Sequence, residues 1–169
     1  MRPQLCLPLL GRKQWKWLLD SLKQSPADFK ILACGMVWNN AVRPGKQDQW
    51  GTYSHEREAL FRFIGDASIS GVVLVSGDVH RTRVISHLSS KQAGYRIPEL
   101  TTSPIHSSVI DRANQPHPGL VFDSGTANSF LLLTSSERGP QAKLTARFIT
   151  SDGKTFFQQS YPARTLQKH

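Results

Sequence analysis

The sequence predicts an α/β fold, a mixed sheet with associated helices that ends in a C-terminal antiparallel hairpin. Three observations carry the prediction. A helical stretch at residues 11–24 leads into an extended run, Phe29-Lys30-Ile31-Leu32-Ala33-Cys34. A second helical stretch leads into a continuous apolar run, Val72-Val73-Leu74-Val75, closed by Ser76-Gly77-Asp78-Val79-His80. Beyond residue 128 the pattern changes to apolar/polar alternation around an Asp-Gly turn.

Each element follows from local pattern. Trp15, Leu18, Leu19 and Leu22 recur at i, i+3, i+4 and i+7, with Arg12, Lys13, Lys16, Asp20 and Lys23 opposite, and Ser25-Pro26 stops this amphipathic helix. Trp15 lies on the apolar stripe, and both Trp15 and Trp17 read as packing residues rather than a binding platform. The strand at residues 29–34 gives way to a long aperiodic loop, residues 35–53, of a length that tends to be functional or disordered. It carries Trp38, Trp50, Asn39, Asn40, Arg43 and Lys46, with Arg57 nearby. Such a set can shape a pocket for an anionic substrate, with Asn39 and Arg57 as candidate substrate-binding residues, or can be a plain surface loop. Ser54 reads as an N-cap, with Glu56 and Glu58 in the first turn where the helix dipole favours negative charge. Leu60, Phe61, Ile64 and Ala67 mark the buried stripe of this second helix.

The apolar run at residues 72–75 is Val-rich and closed by Gly, the signature of a strand buried on both faces. Helix, short turn and buried strand together suit a crossover in an α/β sheet. Residues 82–88 and 95–102 read extended with a turn at 89–94, and residues 105–126 read as loop, in which His106 and His117 read singly as loop histidines. Residues 128–162 form the hairpin region: a strand at 129–134, then 142–150 returning through Asp152-Gly153 to 155–161.

Composition narrows the function classes. At 169 residues the chain has the length of one domain, residues 1–169. Twenty-one Lys and Arg against 12 Asp and Glu give +9, which favours anionic partners. The basic residues are dispersed without a block of like charge, so the excess reads as a solvated surface rather than a nucleic-acid track. The two cysteines, Cys6 and Cys34, form no C-x-x-C or metal-knuckle spacing. No stretch approaches the roughly 20 apolar residues of a membrane span. The proline-broken N-terminal segment does not read as a signal peptide and looks like the interior of a longer protein.

Asp78 and His80 end the buried strand at the sheet edge where α/β folds build sites. An oxygen donor beside an imidazole suits Fe, Mn, Zn or a mixed metal site. A capping Asp and a packing His are the structural alternative.

Five pieces in order carry a resemblance: Leu10-Gly11-Arg12-Lys13-Gln14-Trp15-Lys16-Trp17-Leu18, Trp50-Gly51-Thr52-Tyr53-Ser54-His55-Glu56-Arg57, the run from Gly71 to His80, Glu99-Leu100-Thr101-Thr102-Ser103-Pro104, and the hairpin with Asp152-Gly153-Lys154-Thr155. In this order the chain resembles the alkaline phosphatase D type of metallophosphatase, in the calcineurin-like phosphoesterase superfamily. The resemblance implies an α/β/β/α sandwich and metal-dependent hydrolysis of phosphomonoesters or phosphodiesters. It implies a di-metal site of divalent or ferric ions (Fe, Mn, Zn or Ca), with His80 as the better direct ligand and Asp78 as ligand or orienting group. It also implies a periplasmic or secreted setting. The superfamily's earlier motifs are absent: Gly65-Asp66-Ala67-Ser68-Ile69 lacks the second Asp of G-D-x-x-D, and there is no G-N-H. The chain therefore reads as the C-terminal half of such an enzyme, a partial domain. Asp78 and His80 alone cannot hold two cations, since a catalytic ion generally takes three protein ligands. A non-catalytic remnant or partner-binding module, associating through an exposed sheet face, is the alternative.

Overall fold

The structure is a computed structural model that describes residues 8–42 and 45–168. The N-terminal segment through Leu7, with Cys6, and Arg43 of the long loop lie outside the described residues.

The first helix, α1 (Gly11–Gln24), buries Leu18 and Leu22. Trp17, off the stripe, is 64% exposed. Glu56 reaches across from α2 (Ser54–Asp66) and accepts hydrogen bonds from Leu9 N (2.5 Å) and Leu10 N (3.4 Å) at the start of α1. A carboxylate on the orphan amides of a helix N-terminus satisfies donors and complements the dipole. Ser54 is not the cap expected of it: Tyr53 takes that position, with no side-chain cap bond.

A five-stranded mixed sheet runs in the order β1 (Lys30–Ala33), β2 (Val72–Ser76), β4 (Pro98–Thr101), β3 (Thr82–Ser86), β5 (Leu120–Ser124). The first three of these are parallel, and β3 is antiparallel to both its neighbours. Val72, Val73 and Leu74 are fully buried, as a strand covered on both faces requires. Gly71 feeds β2 at φ +72, and a Cβ there would fall 1.8 Å from Asp28 O. Only glycine allows that approach, and with it the Lys30 N to Gly71 O bond (2.8 Å) that sets the register of β1.

Two stretches differ from the sequence reading. Residues 89–94 contain a single helical turn, α3 (Ser90–Ala93), closed by Gly94 at φ +84. The stretch read as loop at 105–126 contains β5, which pairs with β3 from Thr82↔Ser124 to Ile85↔Leu120. Its short apolar run, Leu120-Val121-Phe122, is flanked by polar residues, and pairing to β3 decides it where local pattern does not.

The second sheet is antiparallel, β6 (Ser129–Ser136), β7 (Lys143–Thr150) and β8 (Thr155–Pro162). The expected hairpin is β7–β8, and β6 adds the third strand along eight paired positions. The two sheets face each other: Phe122 of β5 stacks on Phe157 of β8 with centroids 4.0 Å apart, beside the fully buried Phe148. On the opposite side of the second sheet Phe130 and Leu132 are 43% and 39% exposed. By register, Leu74, Glu99 and Ile85 share the other face of the first sheet, toward α2. Among the described residues, no helix is long and apolar enough to cross a membrane.

Candidate active site at the sheet edge

Beyond Ser76 the chain makes a tight turn in which Asp78 (φ +70) and His80 (φ +54) adopt left-handed backbone conformations. Non-glycine residues hold such conformations only where their surroundings impose them, and such positions cluster at functional sites. Here the surroundings are visible. Val79, 3% exposed, inserts between the two into a small apolar cluster with Val37, Val42 and Ala113.

The turn thus presents both polar side chains at the carboxyl edge of β2. The His80 ring is half-buried and meets His106 edge-on, centroids 4.7 Å apart. Its Nδ1 is buried without a hydrogen-bond partner. Asp78 pairs with the Lys46 ammonium, which also sits 2.9 Å from Asp48. Lys46 is buried to 4% side-chain exposure, against 42% for Asp78 and 65% for Asp48. Burial alone would lower the Lys46 pKa, but the Asp78 and Asp48 hydrogen bonds and charges raise it overall, so the ammonium is firmly charged. Lys46 therefore clamps the long loop onto the turn that carries His80.

Beneath this edge lies a fully buried carboxylate, Glu99 of β4. Its Oε1 accepts from Trp38 N (2.8 Å) and Ser76 Oγ (3.0 Å). Its Oε2 accepts from Asn39 Nδ2 (3.0 Å) and lies 2.8 Å from His87 Nε2. Burial pushes this carboxyl up, but the His87 hydrogen bond and charge, the Asn39 amide and the Trp38 N–H more than offset it, and it titrates below its ordinary value. Asn39 is committed at both ends, its Oδ1 accepting from Ala41 N at 2.8 Å. Arg57 donates from Nη1 to Trp38 O (2.7 Å) and from Nη2 to Glu58 (3.2 Å). Trp38 and Trp50 stack at 4.3 Å within the core.

Asp78 and His80 thus share one turn. The described bonds of Asn39 and Arg57 run to the Glu99 network, the Trp38 loop and Glu58, and none runs to Asp78 or His80. Sequence reasoning missed Glu99 and His87. The available signal for Glu99 was a carboxylate in the extended stretch Tyr95–Thr102, in a slot where strands of this sheet carry apolar residues. It also missed Arg81 and Arg83. Arg81 Nε donates to Asp123 (2.8 Å), Arg83 pairs with the same carboxylate at 2.9 Å, and Arg83 donates to Ala41 O and Gln115 O, tying three loops to β5.

The His80 nitrogen is suited to one bond to an ion. Among the described residues, however, no three His, Cys, Asp or Glu side chains converge as a metal-ion site. Asp78 already faces a cation of the protein's own. The described residues do not by themselves build an ion site.

Two facing sheets, a helical layer on one of them, and a histidine turn at the carboxyl edge of a buried strand make this a layered α/β protein with its candidate site at the sheet edge. The model of the PhoD-like phosphatase family matches residues 6–144, and the chain belongs to that family. It is 33% identical over 78 residues to alkaline phosphatase D of Bacillus subtilis (strain 168), an alignment that covers 43% of this chain and 13% of that protein. A solved structure, titled "Structure of PhoD", superposes with a TM-score of 0.65 at 19% identity, covering 95% of this chain and 35% of that one. The likeness supports the fold, and the chain spans about a third of that structure's length.

Proposed function

We propose that the chain belongs to a metal-dependent hydrolase of phosphate esters, of the phosphatase or phosphodiesterase type, and supplies the β2-edge part of its site. The observation that carries this reading, beside the family match over residues 6–144, is the buried, unpaired Nδ1 of His80 at the end of β2. In this reading His80 is the functional imidazole, and Asp78 fixes its turn through Lys46. Asn39 and Arg57 shape the Trp38–Asn40 loop beside the substrate. A divalent or ferric ion (Fe, Mn, Zn or Ca) would supply Lewis-acid activation of the ester. Among the described residues, no three His, Cys, Asp or Glu side chains converge to hold it.

The test is turnover of p-nitrophenyl phosphate and bis(p-nitrophenyl) phosphate by the purified chain, with each metal added in turn, comparing wild type with His80→Ala. Turnover lost in the variant supports the reading, and turnover that survives it removes His80 from the chemistry. No turnover with any metal, together with no metal binding by calorimetric titration, favours a second reading, a non-catalytic or partner-binding module. That reading draws on the want of a three-ligand cluster among the described residues and on the exposed Phe130 and Leu132 of the second sheet.

A further inference from the structure

On the α2 side of the first sheet, at the far end of β3 from the His80 turn, there is a cavity of about 140 Å³. The five residues of β3 set its His87 wall about 14 Å from the working edge, at about 3.4 Å per residue, while Asn40 of the long loop forms the opposite wall. Its walls include Asn40, Arg57, Phe61, His87, Gln92 and His117, drawn from five separate stretches of the chain.

Two of these side chains leave buried polar atoms without partners, Arg57 Nε and Gln92 Oε1. Orphaned atoms of this kind call for an explanation, because each costs the fold the desolvation of an unmade bond. The donor set is specific. His117 Nδ1 accepts from Gly119 N at 2.9 Å, so the neutral ring carries its N–H on Nε2. His87 and His117 face each other with centroids 6.0 Å apart, and Phe61 closes one side against His87 at 5.5 Å. The carboxylate in the lining, Glu58, is already taken up by Arg57 Nη2 (3.2 Å) and Gln92 Nε2 (2.9 Å). Glu99 lies behind His87 with four donors of its own. Among these lining residues, Arg57 Nε and the His117 Nε2 N–H are donors without a described partner, and Gln92 Oε1 is an acceptor without one.

We propose that this cavity is a second site, distinct from the His80 turn, for a small tetrahedral oxyanion carrying one hydroxyl, such as inorganic phosphate. Arg57 Nε and the His117 N–H donate to its oxygens, Asn40 closes the mouth, and Gln92 Oε1 accepts its O–H. A guanidinium is the group best matched to such oxygens. The volume admits one such ion with water beside it, given about 30 Å³ per water. The choice of phosphate among oxyanions rests on the proposed hydrolytic reading, since phosphate is its product; the donor set does not.

The experiment is a titration of the purified chain with inorganic phosphate at constant ionic strength, with chloride as the balancing anion, following the ring carbon-bound protons of each histidine by NMR. Saturable shifts at His87 and His117 are expected. Arg57→Met is expected to weaken them roughly tenfold, the scale of one charge-assisted hydrogen bond. His80→Ala is expected to leave them unchanged. His117→Gln gives a second variant should Arg57→Met fail to fold, with the loss read at His87. Sulfate, which has no hydroxyl at neutral pH, is expected to bind more weakly. No saturable shift, an equal drift at all histidines, or sulfate binding as tightly as phosphate would overturn the proposal. Shifts confined to His80 and His106 would also overturn it while supporting phosphate binding at the sheet edge, so the two readings fail separately.

Discussion

Replacing Glu99 by Gln preserves shape and volume but removes the charge on which four hydrogen bonds converge. The carboxylate is fully buried, and its donors come from the Trp38 backbone, Ser76, Asn39 and His87. An amide offers one oxygen and one N–H₂, so two of the four donors must now face a donor. Ser76 Oγ can turn to Thr101 Oγ1, 2.9 Å away, and His87 Nε2 can become an acceptor. Trp38 N and Asn39 Nδ2 have less recourse. Asn39 can flip only by losing its bond from Ala41 N. One orphaned donor costs about 1–3 kcal/mol, and the surviving bonds fall from charge-assisted to neutral strength, about 1 kcal/mol apiece. The sum is about 3–5 kcal/mol, the scale seen when one partner of a buried ion pair is removed. Against a total stability of about 5–15 kcal/mol this is severe. Urea unfolding at pH 7 measures it as a fall in midpoint with unchanged m. Asn39→Ala, which leaves the charge and removes one donor, should cost less than half as much. A Glu99→Gln loss below about 1 kcal/mol would refute the claim that the carboxylate organises these loops.

The Lys46 clamp is tested by a double-mutant cycle of Lys46→Met and Asp78→Asn, read by thermal unfolding; coupling of about 1 kcal/mol is expected, and additive losses would deny the pairing. The His117 pKa is lowered, first by burial and next by the charge of His87. The unfolded chain then binds the extra proton first, so stability falls as pH drops below the ordinary value of 6.5. His117→Gln should flatten that limb of a stability–pH profile, and an unchanged limb would contradict the burial assigned to the ring. Glu99, also lowered, adds its own loss at lower pH, starting as the unfolded carboxyl protonates near 4.5.

Local pattern reached most of this fold. The stripe of α1, the Val-rich run of β2 and the Asp-Gly turn of β7–β8 are short-range signals, and each element formed where its signal stood. Leu120–Ser124 escaped because β5 is made by pairing to β3, contacts 35 to 42 residues distant that no local window of sequence contains. The site divides the same way. Asp78 and His80 were legible as polar residues closing an apolar strand. The partners that give them meaning, Lys46 for Asp78 and His106 for His80, are separated from them by 32 and 26 positions and meet them only in the folded chain. Asn39 was legible as a polar loop residue, but its commitment to Glu99 depends on β4 lying beneath the loop.

That commitment changes what the long loop can do. It is anchored twice, from below by Glu99 through Trp38 N and Asn39, and at the edge by Lys46 against Asp78 and Asp48. The lower anchor is fully buried, and salt cannot screen it appreciably; the upper one involves carboxylates 42% and 65% exposed and is open to screening. Arg57 grips the same loop through Trp38 O and also forms part of the cavity wall, so an anion there and the loop would share one side chain. A displacement of Arg57 by ligand would be felt at Trp38 first, beside the Glu99 bond, while the His80 turn stays held by Val79 in its own apolar cluster.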